Sequence, residues 1–142
     1  MPHENNHTEN TDNISIGSAQ DWMRHANSDL AIARVSPPPA VLLEGLCFHT
    51  QQAAEKSIKA VLIAQSVSFP RTHSIRMLLD IAARHVTVPE VIQDAAGLTD
   101  YAVTTRYPGA PEPVEREDYE EALRLAEAVF SWAERIISSD SS

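Results

Sequence analysis

The chain has 142 residues, 43% of them hydrophobic but only 6% aromatic, and a net charge of −9. That length supports one packed core, and the scarcity of rings and of alternating β-branched runs favours helices and excludes a sheet. The negative balance excludes loose, sequence-blind nucleic-acid binding, which depends on neutralising phosphates, so no DNA partner is expected.

A single cysteine excludes an internal disulfide, and Cys47 falls on the apolar side of its helix, as a small buried hydrophobe rather than a nucleophile. No stretch approaches 18 consecutive apolar residues, and the N-terminus lacks a basic start followed by an apolar block. Neither a membrane span nor a secretion signal is therefore expected, and the expected location is cytoplasmic. Charge is unevenly spread, at −4 over residues 1–44, +1 over 45–110 and −6 over 111–142. An anionic ligand should dock on the middle third, which also carries His49, His73 and His85.

Residues 1–17 are polar and acidic with hardly an apolar side chain, so they read as a disordered tail. The helical bundle is expected over 18–138. Its first helix should span Ser18 to Val35 with Trp22, Ala26, Leu30 and Ala33 inward, ended by Pro37-Pro38-Pro39. The second should run from about Ala40 to Gln65, a stretch free of proline and interrupted only by the isolated Gly45.

At 100° per residue, Leu43, Leu46, Cys47, Thr50, Ala54, Ser57, Ile58 and Val61 gather on one broad face of that second helix. Opposite them His49, Gln52, Lys56 and Lys59 occupy an arc of about 80°. Two readings of this arc stand side by side: a solvated helix face, or a ligand or partner surface flanked by Phe48, Ala60 and Ile63.

A loop then leads to a third helix from His73 or Ser74 to His85, with Ile75, Leu78, Leu79 and Ala82 inward. Arg71, His73 and Arg76 cluster at its start, where free N–H groups favour an anion, although His73 can equally serve as a cap. Thr87 three residues before Glu90, with Pro89 between, reads as a capping box opening a fourth helix to about Thr105. Its inward side would be Val91, Ile92, Ala95, Leu98, Ala102 and Val103. Prolines 108, 111 and 113 impose a loop. The fifth helix, acidic at its start, should place Tyr119, Ala122, Leu123, Ala126, Val129, Phe130, Ala133, Ile136 and Ile137 on one face, with 139–142 a disordered tail. The fold class is thus all-α, an up-and-down antiparallel bundle of about five helices.

There is no Gly-rich phosphate loop and no CxxC, and the His3/His7 pair at i,i+4 falls in the polar tail as an accident of its composition, so no metal or other cofactor is expected. The stretch Cys47-Phe48-His49-Thr50-Gln51-Gln52-Ala53-Ala54-Glu55-Lys56-Ser57-Ile58-Lys59-Ala60 is followed by Thr72-His73-Ser74-Ile75, Leu78-Leu79 and Arg106-Tyr107-Pro108. Together with Asp29-Leu30 and Ala33, these residues resemble the HEPN family (higher eukaryotes and prokaryotes nucleotide-binding domain) over about residues 18–137. The resemblance implies an all-α bundle that is usually a homodimer, and a partnership with a minimal nucleotidyltransferase, often as a toxin–antitoxin pair. It also implies nucleotide binding in some members and metal-independent RNA cleavage in others.

The RNase members carry an Arg, then four to six intervening residues, then a His. Arg106 takes the Arg position, but Pro111, Glu112 and Pro113 stand where the His should be, so the proton-transfer group is missing. The leading expectation is therefore a non-catalytic module for a nucleotide, RNA or partner, with Gln52, Lys56, Lys59, Arg71, His73, Arg106 and Tyr107 as the anion-binding set. One alternative is an RNase toxin with a rearranged site of Arg106 with His49 or His73. Another is a purely structural dimerisation module in which Gln51, Glu55 and Arg106 form a polar network between helices.

Overall fold

The computed structural model describes residues 17–35, 42–101 and 114–141, and the side chains only as far as Ser139 at the C-terminal end. Arg106 and Tyr107, residues 1–16 of the tail expected over 1–17, and the end of the expected fourth helix lie outside them. Five α-helices are present among the described residues, with no β-strand: α1 (Ala19–Arg34), α2 (Leu43–Ala64), α3 (Ile75–Ala82), α4 (Glu90–Gln93) and α5 (Arg116–Ser141). A 3-10 segment, Asp94–Thr99, continues α4.

Helices α1, α3 and α5 begin where side chains accept from free N–H groups, whereas α2 starts after Leu42 with no side-chain cap. Ser18 and Asp21 form a reciprocal capping box at α1. Ser74 accepts from the Met77 N–H at α3, while the Thr72 hydroxyl accepts from the Ser74 N–H. At α5 the Asp118 carboxylate accepts from the N–H of Glu115, and the same acid suits the positive end of the helix. The expected capping box at Thr87 does not form. Pro89 is the cap residue of α4 and makes no side-chain bond, while the Thr87 carbonyl accepts from the Trp132 indole. The regular helix lasts only four residues there before tightening into the 3-10 segment, in which Gly97 weakens the α-helical preference. At the other end α5 continues to Ser141, past the expected limit at Ser138.

The C-terminus of α2 closes as a Schellman motif. Val67 N–H donates to the Leu62 carbonyl at 2.9 Å and Ser66 N–H to the Ile63 carbonyl at 3.0 Å. Ser66 takes the left-handed position at φ 59°, which glycine usually occupies. This turn sends the chain back along the helix it has just left. Phe69 lies beside Lys59, and His73 beside Glu55, so increasing residue numbers in the loop meet decreasing numbers in α2. The loop is a packed strap rather than a simple connection, with Phe69 1% exposed.

The three long helices form the core. Tyr119 at the start of α5 donates to the Ala33 carbonyl at the end of α1, and Ala19 at the start of α1 packs with Ala60 and Ile137 near the ends of α2 and α5. Helix α1 is therefore antiparallel to both others. Central α2 has thirteen of its 22 residues buried because α1 and α5 cover different sides of it. Ala26, Ala33, Ala53, Ala54, Ala60, Ala126 and Ala133 are fully buried and let the backbones approach closely. The hydroxyls of Thr50 and Ser57 bond the carbonyls of Cys47 and Ala53, so neither is buried without an acceptor. The described residues expected inward are buried or half-buried except Val91, which is 44% exposed, and Ala102 and Val103 lie outside the described residues. Trp132 and Leu125, absent from the expected face of α5, are buried as well.

Candidate functional site

The polar face of α2 is divided between two acids. Asp29, which α1 places only 7% exposed among Ala26, Leu30 and Ala33, stands between two residues of α2. One of its oxygens accepts from His49 Nδ1 at 2.9 Å and the other from Lys56 Nζ at 2.8 Å. His49 and Lys56 are seven residues apart, so two helical turns bring both to the same side.

The second acid, Glu55, is 3% exposed and takes three donors. Gln51 Nε2 and Lys59 Nζ each lie 2.7 Å from it, and His73 Nδ1 is 3.1 Å from both carboxylate oxygens. Gln52 extends the network outward by donating to the Gln51 carbonyl oxygen at 2.7 Å. The Lys59 ammonium, 5.7 Å from the Trp22 ring centre and 6.0 Å from that of Phe69, is held by aromatic faces as well as by its acid.

The arc expected from periodicity is therefore not one cationic surface. Lys59 lies only about 40° around the helix from Glu55, and a Glu four residues before a Lys is the favourable orientation for pairing. Lys59 turns inward, whereas His49, Gln52 and Lys56 stay partly exposed. The expected corner at the start of α3 also divides. His73 turns to Glu55, Arg76 pairs with Asp80 and donates to the Gln93 carbonyl, and Arg71 alone is exposed without an ion partner among the described residues. Ser74, not His73, caps α3.

Because an ionised carboxylate only accepts, both imidazoles present an Nδ1–H to their acids and leave Nε2 unbonded within the described residues. Such an imidazole is fixed in tautomer and orientation, ready to accept a proton or a hydrogen bond from a ligand. Counting His as neutral, Asp29, Glu55, Lys56, Lys59 and Arg71 sum to +1 in a chain of −9. Among the described residues no group of three or more His, Cys, Asp or Glu is placed to share a metal ion. Cys47 is unsuited to nucleophilic attack: burial, helped by Asp118 and Glu44, pushes its thiol up to about 12.

The profile of the HEPN domain family matches residues 19–136, nearly the whole described bundle. The chain belongs to the HEPN family. An archaeal HEPN homologue, ST0689, superposes with a TM-score of 0.71 at 30% identity, over 86% of this chain and 99% of that one. TT1696 from Thermus thermophilus superposes with a TM-score of 0.70 at 34% identity, over 83% and 97% of the two chains. No curated protein matches this HEPN domain.

Asp29 is the site residue that a search for cations and imidazoles passes over. Its signal is its register: three residues after Ala26 and four before Ala33, it sits on the buried stripe of α1, where a carboxylate requires a cation from a neighbouring helix. Arg106 lies outside the described residues, so the expected Gln51–Glu55–Arg106 network has its Gln51–Glu55 half in view.

Proposed function

We propose that this HEPN domain is a non-hydrolytic binding module for a nucleotide or an RNA phosphate, working with a minimal nucleotidyltransferase in a toxin–antitoxin type system. The observation that carries this reading is the pair of carboxylate-held imidazoles, His49 and His73, whose Nε2 atoms have no partner among the described residues and which lie in the least acidic third of the sequence. Lys56, Gln52 and Arg71 would complete the recognition face, and Arg106 and Tyr107 are assigned to it from the family resemblance. Lys59 contributes indirectly, by fixing the Glu55 carboxylate that orients His73.

Titration with ATP, GTP and a short RNA tests the reading, followed by calorimetry and by retention of the purified nucleotidyltransferase on the immobilised domain. Saturable binding weakened in Lys56→Ala and His73→Ala supports it. Absence of both ligand and partner binding, or equal binding by the variants, rejects it.

A second reading is favoured by the same carboxylate–imidazole geometry. An imidazole held by an acid is a competent general base, and Arg106 would stabilise phosphate charge, so His49 or His73 supplies the proton transfer that the residues after Arg106 lack. RNA cleavage in EDTA, abolished by His49→Ala or His73→Ala, would place this reading first.

Self-association is the remaining part of the proposal. Much of the apolar face of α2 packs against α1 and α5, while Leu43, Phe48 and Ile63 stay half-buried. Exposed apolar surface among the described residues lies on Ile32, Val35 and Leu42, which are 43%, 55% and 70% exposed, and on Met77 and Val91, both 44% exposed. Light scattering at micromolar concentration distinguishes a dimer from a monomer.

A further inference from the structure

A cleft of about 490 Å³ opens where α2 ends, between the α3–α4 connection and the last turns of α5. It shares no lining residue with the His49/His73 face. Val86, Pro89, Trp132 and Ile136 supply an apolar wall, Gln65, His85, Thr87, Arg135 and Ser139 supply polar groups, and among the described residues no acid lines it. In a chain with 20 acids against 11 Lys and Arg, an acid-free cleft bearing an arginine stands apart. Of three smaller clefts, one includes Glu134 and one Asp118 and Glu121, while the third, lined by Ile63, Ser66, Val67 and Ser68, has neither acid nor arginine.

Arg135 is exposed and has no ion partner among the described residues, as is also true of His85. The sequence explains why. Arg116 and Arg124 on the same helix pair with Glu120 and Glu121, but Arg135 has Ser131 and Ser139 four residues to either side, where an acid would be needed. The volume falls within the range of small-molecule sites, and the lining sets apolar side chains beside hydrogen-bonding ones.

We infer that this cleft binds a small oxyanion carried on an apolar body, an aryl carboxylate or an aryl phosphate, with Arg135 and His85 on the oxyanion and Trp132, Val86 and Ile136 against the body. Trp132 reports on occupancy directly. It is 3% exposed, with its indole N–H on the Thr87 carbonyl 3.2 Å away, at the floor of the cleft.

The test uses the full chain with Trp22→Phe, so that Trp132 is its one indole, titrated with benzoate, phenyl phosphate, inorganic phosphate and neutral benzamide. A saturable change in Trp132 emission with benzoate or phenyl phosphate is expected, and whichever binds more tightly names the oxyanion. Arg135→Gln should weaken it about tenfold, the scale of one charge-assisted hydrogen bond. Arg135→Lys should retain most of the affinity, and benzamide should not bind. The exposed position of Arg135 leaves the fold intact, which an unchanged thermal melt verifies. No saturable change with either aryl anion, or unchanged affinity in Arg135→Gln, overturns the inference. Inorganic phosphate binding as tightly as phenyl phosphate overturns the role of the apolar wall.

Discussion

Removing the Glu55 carboxylate isolates the effect of the buried network from that of the helices around it. In Glu55→Ala the Lys59 ammonium remains, with its side chain 5% exposed and its nearest charge partner gone. Breaking a buried pair from one side costs about 3–5 kcal/mol, because the remaining charge is desolvated and uncompensated. Gln51 and His73 lose their acceptor at the same time, which places the expectation at the upper part of that range. Lys59→Met should cost less, since Glu55 keeps two donors. The double variant, with both charges gone, should recover much of the loss, giving a coupling of about 2–3 kcal/mol. Urea unfolding of the four proteins in the cycle measures this, and the melting point of Glu55→Ala should fall by about 10–15 °C. If the Glu55→Ala loss is below about 1 kcal/mol, or the two single effects simply add, Lys59 is not held by Glu55 and the division of the α2 face is wrong.

Tyr119→Phe removes the hydroxyl that bonds the buried Ala33 carbonyl and should cost about 1–2 kcal/mol in urea unfolding, without loss of helical signal. Ser66→Gly relieves a left-handed residue inside the Schellman motif and should stabilise by about 0.5–1 kcal/mol; a loss of stability would mean that the turn is not held as described. Cys47 should react with a thiol reagent at pH 8 no faster than the protein unfolds. Its raised value favours the protonated folded form, so its contribution to stability is complete below its ordinary 9.0 and declines as pH rises toward about 12. Fast stoichiometric labelling of the native protein would refute its burial.

The helices were legible because the apolar stripes of α1, α2 and α5 are long and their caps are local; Ser18-x-x-Asp21 specifies its own bonds. Where a start signal depended on what packed nearby, it failed. Thr87 has the right neighbours for a capping box, yet its surroundings are set by the Trp132 indole, 45 residues away in sequence. The candidate site was legible one helix at a time. Periodicity placed His49, Gln52 and Lys56 together, but the partners that decide their roles come from α1 and from the strap after α2. Asp29 and the return of His73 to Glu55 are products of tertiary packing, and no spacing within α2 encodes them. Lys59 is the instructive residue, since its position on the wheel suits either the outer arc or Glu55, and only the nearness of Trp22 and Phe69 makes the inner choice visible.

Whether the His49/His73 face holds a phosphate-bearing ligand without cutting it can be read in one experiment. A native gel of end-labelled RNA incubated with the protein in EDTA, followed by a denaturing lane of the same mixture, reports binding and cleavage together. A retarded band that Lys56→Ala and His73→Ala weaken, with RNA of full length in the denaturing lane, is the predicted result. Shortened RNA that becomes full-length again in His49→Ala or His73→Ala, or no retarded band at any protein concentration, would contradict it.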